Sequence, residues 1–169
     1  KPIEIFPAPT DVHRLVDGVV ALSETKMKSQ GIDLVEECSD VSPTLNVDAE
    51  KLRTCFINVV ANAIQAMPEG GTMRIVFRRV EGAMVITFSD TGKGIEADVA
   101  SHVFEPFFTT KRDGVGLGLF LSKAIVETHG GTIHIGPNTD GPGTTVTFTF
   151  PPSAVVNGHA HVSGLSIGR

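Results

Sequence analysis

The sequence predicts an α+β fold: a two-layer sandwich with a mixed, mostly antiparallel sheet of about five strands and three main helices on one face. Three observations carry this expectation. Three stretches of the 169-residue chain repeat apolar residues at helical spacing. The strands between them occur mostly as pairs joined by tight-turn residues, the mark of hairpins rather than β-α-β units. With 41% hydrophobic and 20% charged residues, the chain suits one globular domain whose core needs no disulfide or metal to fold.

The elements follow in chain order. Residues 10–30 read as a helix, capped by Thr10 or Asp11, with Val12, Leu15, Val16, Val19, Leu22 and Met27 at roughly helical spacing and Gly31 as its stop. Residues 32–38 read as a strand and Ser-Pro-Thr-Leu-Asn as a loop. Asp48 opens a second helix that runs to about Met67. Pro-Glu-Gly-Gly is a turn, and residues 72–80 and 83–89 form a hairpin around Glu81-Gly82. Residues 90–116 are rich in Gly, Pro and Thr, with a short helix near 97–102. Residues 117–129 are helical and end at Gly130-Gly131. Strands 132–136 and 144–150 flank the turn Pro-Asn-Thr-Asp-Gly-Pro-Gly. The domain spans residues 1–152, and residues 153–169 read as a disordered tail.

Composition excludes several functions. A net charge of −5 and a pI near 5.6 make a poor partner for nucleic acid or anionic lipid. No apolar run approaches the ~20 residues of a membrane helix, and no signal peptide is visible. The first residue is Lys1, so the chain reads as a piece of a longer protein. Cys38 and Cys55 form no disulfide framework; read as two buried thiols, they suit a reducing cytoplasm. His159 and His161 read as incidental, and His13 as ordinary helix surface.

Four segments carry candidate chemistry. On the second helix, Leu52, Phe56, Val59, Ala63 and Met67 share one face, with Val60 and Ile64 beside them. Asn58 and Asn62, four residues apart, stack on a flank with Gln65. They are either a solvated polar flank or two carboxamide oxygens able to ligate one hard cation such as Mg²⁺. The strand Met84–Asp90 places Asp90 on the core face with Met84, Ile86 and Phe88. A carboxylate there is costly unless hydrogen-bonded. The amino group of a flat ligand would satisfy it, with Gly92 and Gly94 letting the backbone approach. Asp-Thr-Gly is equally ordinary turn chemistry. Phe104, Phe107 and Phe108 read as a lid anchor, as a partner surface or as ordinary core, with lid packing favoured.

The fourth segment, Lys111–Leu119, contains Gly114, Gly116 and Gly118 before a helix start. Free amides and the positive end of the helix dipole suit an anion there, with Lys111 and Arg112 adding charge. The plain alternative is a flexible loop before a core helix. Gly92-Lys-Gly94-Ile-Glu-Ala97 matches a dinucleotide fingerprint. The strand before it belongs to a hairpin and no long helix follows, so this reading is set aside.

The four segments in this order resemble the ATP-binding catalytic domain of sensor histidine kinases, within the gyrase, Hsp90, histidine kinase and MutL superfamily. The resemblance covers about residues 8–152. The N box resembles Asn58–Met67, the G1 box Asp90–Ile95, the F box Phe104–Phe108 and the G2 box Gly114–Leu119. It implies a Bergerat-type fold with ATP and Mg²⁺ as ligands. Asn62, with Asn58, would hold the metal. Asp90 would accept from the adenine amino group beside Gly92, Gly94 and Ile95. Gly114, Gly116, Leu117, Gly118 and Leu119 would cradle phosphates, Thr144 would assist adenine binding, and Lys111 would reach the γ-phosphate from a lid of residues 96–115.

Two departures from the family pattern matter. Gln65 stands where many members have a phosphate-binding Lys. Asn58 stands where the hydrolysing members have a water-activating Glu, which favours kinase over ATPase. The rival readings are a gyrase- or MutL-type ATPase clamp, an anti-sigma-type serine kinase, and a degenerate, non-catalytic binding module. The acceptor would be a histidine on a separate dimerisation domain of the same protein, which then passes the phosphoryl group to a response regulator. The chain itself is expected to be monomeric and cytoplasmic, with any membrane anchor upstream.

Overall fold

In the computed structural model, which describes residues 2–39, 43–110 and 116–157, the apolar periodicities resolve into one layer of helices on one sheet. The elements are β1 (Ala8–Asp11), α1 (Val12–Gln30), β2 (Ile32–Cys38), β3 (Thr44–Val47), α2 (Ala49–Ala66), β4 (Gly71–Val80), β5 (Ala83–Asp90), α3 (Ala97–Ala100), α4 (Gly118–Thr128), β6 (Thr132–Pro137) and β7 (Thr144–Phe150). The main sheet has the order β2-β4-β5-β7-β6. Only β2 and β4 are parallel, because α2 lies between them in the chain and supplies the crossover. The other neighbours are antiparallel.

Strand alternation sets which face is covered. Met73, Ile75 and Phe77 of β4, Met84, Ile86 and Phe88 of β5, and Val146, Phe148 and Phe150 of β7 are buried. The alternating Arg74, Thr87, Thr147 and Thr149 are not. Onto the apolar face α2 lays Leu52, Phe56, Val59, Val60, Ala63 and Ile64, and α1 and α4 flank it. Phe56 sits between Phe88 and Phe148, with ring centroids 5.5 and 5.3 Å away. Such pairs contribute about 0.5–1.5 kcal/mol each beyond area burial.

Helix ends explain how the site-bearing helices are anchored. Asp11 caps α1 by accepting from the Arg14 N–H, so Asp11 rather than Thr10 is the cap. Asp48 caps α2 by accepting from the Lys51 N–H, and its second oxygen accepts from the Phe6 N–H. These two backbone bonds hold its carboxyl below the usual aspartate range. The Asp48 N–H donates to His129 Nε2, 2.9 Å away, while His129 Nδ1 pairs with the Ile125 carbonyl. The start of α2 and the end of α4 are therefore tied together, and these helices form two walls of the cavity described below.

Two sequence expectations are corrected. Ser-Pro-Thr-Leu-Asn is not all loop: Thr44–Val47 is β3 and pairs antiparallel with Ala8–Asp11, from Ala8↔Val47 to Asp11↔Thr44. Four-residue strands are too short to show a period, and their partners lie more than thirty residues apart. Cys38 is exposed at the end of edge strand β2, so only Cys55 is a buried thiol. Ordered contacts also run past residue 152. Val155 bridges to Leu45, and the Val156 N–H donates to the Thr44 carbonyl. The dinucleotide reading fails as expected, since β5 is antiparallel to both neighbours and the helix after it has four residues.

Candidate functional site

The strand and helix ends just described enclose a cavity of about 560 Å³. Its walls come from α2, the end of β5, residues 93–110, the start of α4, and β6 and β7. At one end lies Asp90, 7% exposed. Its Oδ1 accepts from the Gly92 N–H at 2.9 Å and from the Thr144 N–H at 3.3 Å. Among the described residues its Oδ2 has no partner, and Asp90 lines the cavity. Burial pushes its carboxyl above the usual value, and the two backbone bonds counter this only in part. Beside it, Phe88, Ile95, Val99, Val103, Ile135 and Val146 supply apolar surface. An apolar slot with one oriented acceptor fits a planar heterocycle bearing an amino group.

At the other end stand the polar residues of α2. Asn58 and Asn62 both line the cavity, with Gln65 one turn on. Asn58 Nδ2 lies 3.3 Å from the Gly118 carbonyl and 3.4 Å from Ser122 Oγ. Ser122 Oγ in turn donates to the Gly118 carbonyl at 2.8 Å. These contacts direct the amide nitrogen toward α4 and leave the Asn58 oxygen for another ligand. The first-turn N–H groups of α4 lack intrahelical acceptors by geometry, and Gly118 and Leu119 line the cavity. Carboxamide oxygens next to a helix N-terminus are a donor set that fits Mg²⁺ carrying phosphate oxygens.

The cavity brings together most of the residues singled out from the sequence. Asn58, Asn62, Asp90, Gly94, Ile95, Gly116, Gly118, Leu119 and Thr144 all line it. Lys111 and Gly114 lie outside the described residues. Leu117 is displaced from the wall and 38% exposed. Gly92 does not line the cavity either. A Cβ there would come within 2.3 Å of the Ala66 carbonyl oxygen, so its lack of a side chain lets the β5 end abut the end of α2 rather than a ligand. The Phe cluster divides: Phe108 faces the cavity, Phe104 packs against the core, and Phe107 is 71% exposed with φ 65°.

Sequence reasoning missed several residues. Lys93 lines the cavity and is its cation among the described residues; it stood inside the G1 segment but was passed over between two glycines. Ser122 is fully buried and reaches Asn58, and its only signal was its place one turn after Gly118. Asn138 was read as turn chemistry alone. His13 is more than plain helix surface: it packs edge-on against Phe77, and its Nε2 lies 3.5 Å from Glu36 and 3.7 Å from Asp17. None of these three residues lines the cavity.

The comparisons with known proteins agree with this geometry. The family described as histidine kinase-, DNA gyrase B-, and HSP90-like ATPase matches residues 47–154. The chain belongs to that family. Sporulation kinase A of Bacillus subtilis is 36% identical over 141 residues, 83% of this chain and 23% of that protein. The sensor histidine kinase ZraS of Escherichia coli K12 is 34% identical over 151 residues, 89% of this chain and 32% of that protein. The chain therefore spans about a quarter to a third of these relatives.

Solved structures give the same answer. The nucleotide-free catalytic domain of histidine kinase ThkA superposes with a TM-score of 0.79 at 28% identity, over 89% of this chain and 97% of that one. Full-length ShkA in complex with AMPPNP gives 0.81 at 29%, over 92% and 33%. ThkA in complex with the response regulator TrrA gives 0.76 at 26%, over 88% and 42%. The expected fold class is thus the observed one. Among the described residues no helix is long and apolar enough to cross a membrane.

Proposed function

We propose that this chain is the nucleotide-binding catalytic part of a protein-histidine kinase, binding Mg-ATP and directing its γ-phosphoryl group to a histidine on a separate dimerisation domain of the same protein. The observation that carries the reading is the shared cavity. Asp90, held through Oδ1 by Gly92 and Thr144, lines it with apolar Phe88, Ile95 and Val146, and so do Asn58, Asn62 and the α4 start at Gly118 and Leu119.

The residues divide the work. Asp90 accepts from the adenine amino group, and Ile95 and Thr144 border the base. The α4 start, at Gly118 and Leu119, receives phosphate oxygens, and Gly116, Lys93 and Lys111 add amide and charge. Asn62 and Asn58 would hold Mg²⁺, which neutralises phosphate charge when bound. Residues 96–115 would form the lid. Catalysis here is positioning and neutralisation, as phosphoryl transfer requires.

Asn58 in place of a Glu separates this reading from the ATPase clamp. Asn has no basic lone pair at neutral pH with which to take a proton from water, so the nucleophile must come from elsewhere. A serine-kinase output shares the same pocket; the relatedness to sensor histidine kinases favours histidine. The onward partner is a response regulator receiver, as the ThkA complex with TrrA illustrates for that protein.

The test is transfer from γ-labelled ATP to a separately purified dimerisation domain, with and without Mg²⁺. Acid-labile, base-stable label on that domain is the expected result, since phosphohistidine has those properties. Label on serine, or phosphate release at the same rate without an acceptor, would replace the reading with one of its rivals.

A further inference from the structure

We propose that Asn138, in the turn between β6 and β7, is the positioning residue that sets the adenine selectivity of Asp90; this rests on the reading of Asp90 given above. The β5–β7 ladder ends at the pair Ser89↔Thr145, while on its other side β5 stays paired through Met73↔Asp90. The Asp90 carbonyl therefore projects past the last β7 rung, where no strand partner meets it. Asn138 supplies that missing rung from a side chain. Its Nδ2 donates to the Asp90 carbonyl at 2.7 Å and to the Pro142 carbonyl at 2.8 Å.

The carboxamide is itself locked. Its Oδ1 accepts from Thr145 Oγ1 at 2.6 Å, and Thr145 Oγ1 lies 3.0 Å from Ser89 Oγ, back on β5. Its own N–H donates to the Gly143 carbonyl, which closes the turn. Gly143 lets the turn press on Asp90: at φ 113°, a Cβ there would stand 1.8 Å from the Asp90 carbonyl oxygen and 2.7 Å from Asn138 Nδ2. The next residue, Thr144, gives its N–H to Asp90 Oδ1. One turn thus grips both the backbone and the carboxylate of Asp90, and Asn138 itself lies outside the cavity lining. With the grip loosened, the carboxylate loses its aim while the phosphate end of the cavity is untouched.

This separation makes the inference testable by ligand choice. ADP carries the 6-amino group that Asp90 would accept from; IDP carries a carbonyl there and an N1–H in place of the N1 lone pair, with the same sugar and phosphates. Calorimetric titration of the full chain with each nucleotide is made on wild type, Asn138→Ala and Thr145→Val, with melting curves confirming that each variant is folded at the titration temperature. Wild type should prefer ADP. Asn138→Ala should weaken ADP by about tenfold and IDP by less than about twofold, collapsing the preference. Thr145→Val, which frees the far end of the carboxamide, should shift the preference the same way by less and stands in for Asn138→Ala if that variant does not fold. Equal weakening of ADP and IDP, or a preference kept in whichever variants fold, would overturn the role of Asn138 alone. A wild type that binds ADP and IDP equally would instead overturn the reading of Asp90 beneath it.

Discussion

Replacing Asp90 by Asn tests the proposed nucleotide site at its buried carboxylate. The substitution keeps one oxygen for the Gly92 and Thr144 N–H groups. It changes the outward atom from an acceptor to an NH₂ donor, which then faces the adenine amino group donor to donor. A lost hydrogen bond to a charged group costs about 1.5–3 kcal/mol, which corresponds to about 10- to 150-fold weaker ADP binding. The same change should not harm the empty protein. Burial raises the Asp90 carboxyl above its ordinary value of 3.8, so the folded chain holds that proton more tightly than the unfolded chain does. Stability from this group is complete below pH 3.8 and falls as pH rises through the raised value. At neutral pH the buried charge is a cost that Asn removes. Calorimetry with ADP and a melting curve without it measure both effects. ADP affinity within twofold of wild type would refute the adenine assignment, and a variant that melts several degrees lower when empty would refute the account of the buried charge.

Three further outcomes follow from other parts of the molecule. Asn62→Ala should reduce the Mg²⁺-dependent part of ADP affinity on the order of tenfold while leaving metal-free binding nearly unchanged, read by titration with and without Mg²⁺. A thiol reagent should modify Cys38 in the native state and reach Cys55 only after denaturation. Cys55 is buried, and burial pushes its thiol up to about 11, whereas Cys38 is exposed. Asp48→Ala should cost about 1–2 kcal/mol in urea unfolding by uncapping α2. The Phe6 and Lys51 N–H groups lower the Asp48 carboxyl, so its contribution is present above pH 3.8 and fades as pH falls through the lowered value. Acid titrations of wild type and variant should therefore converge at low pH.

How far the site was legible in the sequence follows from how local each signal was. Asp90 was placed on the core face by two-residue alternation from Met84, and its burial agrees. Asn58 and Asn62 were placed on one flank by helical spacing, and both line the cavity. Gly92 was read as room for a close approach. A glycine in a turn announces close approach but not what approaches, and here it is the Ala66 carbonyl. Lys93 escaped because nothing in a run of glycines marks which way the intervening side chain points.

Periodicity and turn chemistry act within a few residues, so the helices, the hairpins and the order of the four candidate segments could be read from the sequence. The tertiary structure alone decided the rest. Pairing β1 with β3 joins four-residue strands remote in the chain. Seating His129 on the Asp48 N–H joins positions 81 residues apart, and closing Asn138 on the Asp90 carbonyl spans 48. Each of these contacts depends on how elements distant in the chain pack together, and no local pattern of residue types records that packing.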